Sequence, residues 1–276
     1  MNPFVLLNVE RRVTHLCPAV ARTLALPVAI LLESKNPREL TKEDSELYAK
    51  TKIQHLFVMP KPLTIELLLK EATAFAKTES KYAEQSLFGV TDGKAVGTYL
   101  EHKFQTVLQN RYVYGRGNSA RGIDFPELGV DIKVTSIRQP QSSCPFKSAR
   151  QKIYGLGYSL LVFVYDKRDD EKTRTGRLDI QHTIFVRKER TADYQTTSGL
   201  RRLIENKANR DDILAFFEER FMPFERTKDI CLAERVLRQP PAIGALGQGR
   251  RRPSCFDRVI ECAGKIDGVL SLEFAA

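Results

Sequence analysis

The chain has 276 residues, 42% of them hydrophobic and 28% charged, with 44 Lys and Arg against 34 Asp and Glu for a formal net charge of +10. That apolar content excludes wholesale disorder, and the length suits one large domain or a core with one appended subdomain. A positive excess of this size favours a polyanionic partner, either nucleic acid or an anionic membrane surface, although a merely basic protein has the same balance.

The N-terminal stretch CPAVARTLALPVAILL (17–32) invites a membrane or signal-peptide reading. Pro18, Arg22 and Pro27 argue against it. The uncharged run after Arg22 is ten residues, too short to span a bilayer. No compact basic leader precedes it and no small-residue cleavage site follows, so no membrane association is expected. Residues 1–35 are assigned no element. A Thr N-cap at Thr41 followed by acidic residues predicts a helix over 41–57. After Pro60 and Pro62, the Leu-, Ala-, Glu- and Lys-rich segment 63–80 predicts a second helix. A third is predicted over 93–110. With Phe104 at the centre of its apolar face, Leu100, Val107 and Leu108 fall within about 60° of it, and Glu101 falls at the edge of the same face.

Residues 114–122, YGRGNSARG, form a Gly-rich polar loop; no Gly-Lys-Ser/Thr follows, so it is not a P-loop. Strands are predicted at 122–126 and 129–137, then a helix over 145–157 ended by glycine. The apolar run SLLVFVYD (159–166) has the composition of a central buried strand. Charged residues 167–177 form a hairpin-like connection to an alternating strand at 178–188. From about 198 the period becomes helical, with helices expected over 198–221, 228–238 and 255–265, and GALGQGRRRPS (244–254) separating the last two. There is no internal repeat. The predicted class is α/β: a mixed central sheet flanked by helices. Three parts are expected: a mainly helical region over 1–92, a core over 93–190, and a helical C-terminal region over 191–276 that packs on the core.

The five cysteines are odd in number and contain no C-x-x-C pair, and the four histidines are far apart, so no zinc spacing is present. Free thiols in a reducing cytosol are the simplest account of the cysteines. His102 reads as a plain surface histidine.

The segment GIDFPELGVDIKVTS (122–136) sets Asp124, Asp131 and Lys133 among Ile123, Phe125, Val130, Ile132 and Val134. Side chains alternate along a strand, so Asp131, Lys133 and Thr135 share one face while Val130, Ile132 and Val134 share the other. Carboxylates brought within about 4–5 Å of one another repel unless a cation sits between them. An oxygen-only ligand set of this kind suits Mg²⁺, which keeps waters and also binds phosphate oxygens. A lysine two residues on can orient a water and stabilise charge developing on a phosphate. The bland alternative is an exposed ion pair at a sheet edge, of Lys133 with Asp131 or Asp124, worth little. For Glu101 that alternative is a solvated helix face.

A helix carrying Glu, then Gly-Ile-Asp, then Asp-x-Lys on a strand, then a helix and an apolar strand, resembles the PD-(D/E)xK nuclease superfamily, and type II restriction endonucleases within it. The resemblance spans about 93–188 and rests on Glu101, Asp124, Asp131, Ile132 and Lys133. The chain departs from the pattern where Ile123, not Pro, precedes Asp124. The interval from Asp124 to Asp131 is also short, and Glu127 competes with Asp124 as ligand. The resemblance implies a restriction-endonuclease-like fold and a Mg²⁺-dependent endonuclease acting on double-stranded DNA. In it Asp124, Asp131 and Glu101 hold the metal and Lys133 positions the nucleophilic water. It further implies a cytoplasmic homodimer, with a cognate DNA methyltransferase in the same system. Residues 111–152 hold eight Lys and Arg against three acids. From these and the neighbouring polar loop, Arg116, Arg121, Gln141, Lys147, Arg150 and Lys152 are the candidate DNA contacts. The basic run at 249–254 is a second candidate for phosphate. Two other readings stay open: a repair or recombination nuclease of the same superfamily, and a DNA-binding protein without catalysis.

Overall fold

The computed structural model describes residues 61–115, 117, 122–139, 144–220, 226–247 and 255–272, with the backbone alone at 226–229. The helix expected over 41–57, the apolar stretch at 17–32 and the basic run at 249–254 lie outside the described residues. The chain divides into two units, one of residues 1–62 and 108–113, the other of 63–107 and 114–276. In the described part of the first, β1 (Lys61–Pro62) pairs in parallel with β3 (Tyr112–Val113).

The second unit is built on a five-stranded mixed sheet. Its centre is β5 (Ser159–Asp170), in which eight consecutive residues from Ser159 to Asp166 are buried. Only a strand covered on both faces reads as an unbroken apolar run. The order is β2 (Ala83–Glu84), β6 (Thr175–Val186), β5, then β4 (Val130–Ser136), with β7 (Val269–Ser271) also on β6. The β4–β5 pair is parallel and the others antiparallel. The strand that carries Asp131 and Lys133 therefore ends the sheet. The helix-flanked mixed sheet is the α/β class expected from the sequence.

One face is covered by α1 (Ile65–Glu79) and α2 (Gly93–Gln109). Thr64 caps α1 by accepting from the Leu67 N–H, Glu66 sits in its first turn and Lys77 in its last, each placed to suit the helix dipole. Leu68, Ala72, Phe75 and Ala76 recur at helical spacing and are buried. Phe75 meets Phe104 of α2 and Phe163 of β5 in a trio with ring centroids 5.0 to 5.9 Å apart. On the other face Leu160, Val162 and Val164 pack with Ala245, Leu246, Phe256 and Val259. The helices α3 (Ala149–Tyr154), α4 (Tyr194–Glu205), α5 (Arg210–Glu219) and α6 (Arg226–Arg238) gather around Ile153, Leu200, Ile213, Phe217 and Val236. Helix α7 (Asp257–Cys262) completes the C-terminal part.

Several expectations are corrected. Residues 122–126 are a turn, not a strand; only Phe125 forms a bridge, exchanging two backbone hydrogen bonds with Val130. Pro126 and Gly129, the latter at φ +60°, fold the chain straight back. The charged connection at 167–177 is mostly strand: β5 runs to Asp170 and β6 starts at Thr175, with charged residues paired beyond the core. The helix expected over 198–221 is two, broken at Lys207, which has φ +61°, and restarted by a capping box between Asn209 and Asp212. The short strand β7 was not anticipated. Cys144 and Cys255, 111 residues apart, form a disulfide with Cα atoms 5.1 Å apart, so these two are not the free thiols expected. The tertiary fold alone brings such distant cysteines together. Cys231 and Cys262 are free.

Candidate active site

The parity of β4 is the one the alternation predicts. Asp131 pairs with Leu160 and Lys133 with Val162 in the parallel ladder, so the acid and the ammonium project from the same face. Asp131 is 3% exposed, and the Lys133 Nζ stands 2.7 Å from its Oδ2. The ammonium is the close partner of this buried oxygen.

Asp124 arrives from the turn before β4. Its Oδ2 accepts from the Ile132 N–H at 2.8 Å, a donor that β4 presents away from β5. Its Oδ1 accepts from Gln105 Nε2 at 3.1 Å. The Asp124 carboxylate adds to the upward push on the Asp131 carboxyl. Glu127, the rival ligand, is exposed and accepts from the Gly115 N–H at 3.1 Å. Asp124, not Glu127, therefore faces Asp131.

Glu101 comes from α2, which packs on the opposite face from Asp131. Gly97, Glu101 and Gln105 recur every fourth residue and form one line along the helix. A Cβ at Gly97 would lie 3.8 Å from Val134 Cβ, and Gln105 touches Asp124, so the line follows the open edge of β4. Glu101 lies half-buried between them on that line.

The electrostatics couple these groups. Burial, then the Asp124 carboxylate, pushes the Glu101 carboxyl up to about 7, with Asp131 adding and Lys133 opposing. Burial pushes Asp131 up to about 6, against the pull of Lys133. For Lys133 burial disfavours the charge, but Asp131 and Glu101 outweigh it, and the ammonium is held protonated. Three acids against one ammonium leave an uncompensated negative charge in a poorly solvated place, the condition under which a divalent cation is stabilising. The donor chemistry fits a hard cation. Among the described residues no group of three His, Cys, Asp or Glu stands close enough to hold a metal as it is. The arrangement is a carboxylate pair with a third acid behind it.

Sequence reasoning missed two neighbours. Gln105 was identifiable only as the residue one turn beyond Glu101. Tyr158, half-buried just before β5, has its phenol pushed up by burial and by Asp131, with Lys133 opposing, which places it beside the pair. Its parity with Leu160 carried that signal once the register was known. Among the candidate DNA contacts, Lys147 and Arg150 are exposed and Lys152 half-buried, on α3 and its approach. Arg116, Arg121 and Gln141 lie outside the described residues. Among the described residues no helix is long and apolar enough to cross a membrane.

Residues 62–271 match the family described as Type II restriction enzyme NspV. The chain is also 54% identical over 212 residues to the Type II restriction enzyme NspV of Nostoc sp., an alignment covering 76% of this chain and 96% of that protein. No solved structure matches the chain. Glu101, Gln105, Asp124, Asp131 and Lys133 all fall inside the matched span. With three quarters of its length aligned at this identity, the chain belongs to the NspV family of type II restriction enzymes.

Proposed function

We propose that this protein is a sequence-specific type II restriction endonuclease that cleaves double-stranded DNA in a Mg²⁺-dependent reaction at a PD-(D/E)xK-type site. The observation that carries the reading is the 54% identity to a type II restriction enzyme over 96% of that protein's length. The coupled cluster of Glu101, Asp124, Asp131 and Lys133 supports the choice of site.

Asp124 and Asp131 would hold the ion, with Glu101 completing the set. When bound, the ion supplies a Lewis acid for the phosphate and a more acidic water. The Lys133 ammonium, kept protonated by Asp131 and Glu101, orients the attacking water and offsets charge on the phosphoryl oxygens. Asp124 is fixed by the Ile132 N–H. The nuclease core is assigned to residues 93–190, with 191–276 packing on it. Arg116, Arg121, Gln141, Lys147, Arg150 and Lys152 are assigned to DNA. Cutting both strands of a duplex calls for two such sites, so the working form is a homodimer. The reading also implies a cytoplasmic location and a cognate methyltransferase that protects the same sequence.

The test is digestion of phage DNA by purified protein with Mg²⁺ or with a chelator, followed by sequencing of the ends. Discrete Mg²⁺-dependent fragments sharing one end sequence are expected. Cutting without a shared end sequence would favour a repair or recombination nuclease. Binding without cutting would leave a DNA-binding protein.

A further inference from the structure

We propose that Gln105 is a positioning residue that holds the Asp124 carboxylate in its metal-binding orientation. The proposal rests on the reading above that Asp124 is a ligand. Asp124 needs such a device because of where it sits. The other acid of the pair, Asp131, is fixed in the β4 ladder, whereas Asp124 lies in a turn whose one bridge among the described residues is Phe125–Val130. Two donors set its direction instead: the Ile132 N–H at 2.8 Å and Gln105 Nε2 at 3.1 Å, one to each oxygen. A carboxylate only accepts, so Gln105 presents its NH₂ group to it.

A second contact ties the same two elements. The Tyr114 hydroxyl donates to the Gln105 backbone carbonyl at 3.2 Å, and the Tyr114 ring packs on Phe125 with centroids 5.3 Å apart. Phe125 is the residue after Asp124. Helix α2 is therefore tied to the turn at two consecutive residues, directly by the Gln105 amide on Asp124 and indirectly through Tyr114, which bonds the helix and packs on Phe125. The chemistry of the amide suits the task. A lysine or arginine at position 105 would hold Asp124 by neutralising it and would compete with a cation. A glutamine orients the carboxylate and leaves its charge in place.

The test is a near-isosteric loss of the donor, Gln105→Met, measured by Mn²⁺ binding to the DNA-free protein by electron paramagnetic resonance. The Mn²⁺ dissociation constant is expected to rise about tenfold or more, the worth of one hydrogen bond to a charged group. The half-saturating Mg²⁺ concentration for cleavage should rise in parallel, while the rate at saturating metal and metal-free DNA binding stay unchanged. Gln105→Ala, with no volume to clash, is read the same way. Asp124→Asn is the control. If Asp124→Asn abolishes Mn²⁺ binding and both Gln105 variants bind it like wild type, Gln105 has no positioning role and Asp124 keeps its own. If Asp124→Asn binds Mn²⁺ normally, the metal assignment itself is overturned. A melting temperature lowered by more than about 8 °C in both Gln105 variants would make the residue structural and equally overturn the proposal.

Discussion

Helix α2 serves two acidic clusters whose carboxylates are equally hidden. Glu79 of α1 and Asp131 of β4 are each 3% exposed. Glu79 accepts from the Tyr99 hydroxyl at 2.9 Å and pairs with Lys103 Nζ at 2.9 Å, and the same ammonium lies 3.5 Å from the centre of the Tyr82 ring. The Glu79 carboxylate has an ammonium and a phenol to itself at close range, with the more exposed Glu84 acting on the same ammonium from outside. Burial and Glu79 together push the Tyr99 phenol far above its ordinary range, so it stays a donor. At Asp131 the accounting differs. Two further acids converge on the one ammonium that Asp131 pairs with. A buried carboxylate is thus no sign of a site in itself; a local surplus of negative charge is.

The largest effect is expected at Asp131. Asp131→Ala should lower cleavage at least about a thousandfold through loss of a metal ligand, while gel-shift binding to DNA without metal is kept, since removing an acid does not weaken phosphate attraction. Wild-type cutting in this variant at saturating Mg²⁺ would sink the assignment. The corresponding change in the balanced cluster should act on stability alone. Glu79→Leu removes the main partner of the Lys103 ammonium and should cost about 2 kcal/mol in urea unfolding. Cleavage at low temperature per folded molecule should be normal, and an altered Mg²⁺ requirement would erase the distinction between the two clusters.

Lys133→Ala is expected to lower the rate at saturating Mg²⁺ about a hundredfold, since it removes charge stabilisation at the phosphate. Metal affinity should hold or tighten, because Asp131 loses its ammonium. A collapse in affinity with an unchanged maximal rate would refute the role.

Glu101 gives the smallest effect and the finest test. Glu101→Gln should weaken cutting or its Mg²⁺ dependence about tenfold, roughly 1.4 kcal/mol. The same residue shapes stability without metal. Its folded carboxyl titrates near 7 against an ordinary 4.5, so ionising it disfavours the fold. Its stabilising contribution is complete below pH 4.5 and is lost as pH rises through about 7. Calorimetric melts of the metal-free protein should therefore fall over this window by an amount on the order of 1 kcal/mol. Glu101→Gln should flatten the slope, and Mg²⁺ should reverse it in wild type. A slope identical in the variant would return Glu101 to an ordinary half-exposed acid.

Local rules were enough for the parts of this protein that repeat. Helix propensity and helical period placed α1 and α2 to within a few residues, and an unbroken apolar run marked β5 as the buried centre of the sheet. Strand alternation put Asp131 and Lys133 on one side of β4, because a period of two needs no knowledge of the partner strand. Tertiary structure decided what depends on distant neighbours. The segment 122–126 is apolar enough for a strand, yet Pro126 and Gly129 turn it back onto β4, so Asp124 is held by a helix amide and an edge N–H instead of a ladder. Charged residues at the far ends of β5 and β6 extend the hairpin because cross-strand pairing outweighs their weak strand propensity. Cys144 and Cys255 meet only once the C-terminal segment covers the sheet. Glu101 and Gln105 lie on a helix that covers the opposite face from Asp131, and they reach the cluster because β4 is the last strand. That edge position is a property of strand order, which no local period encodes.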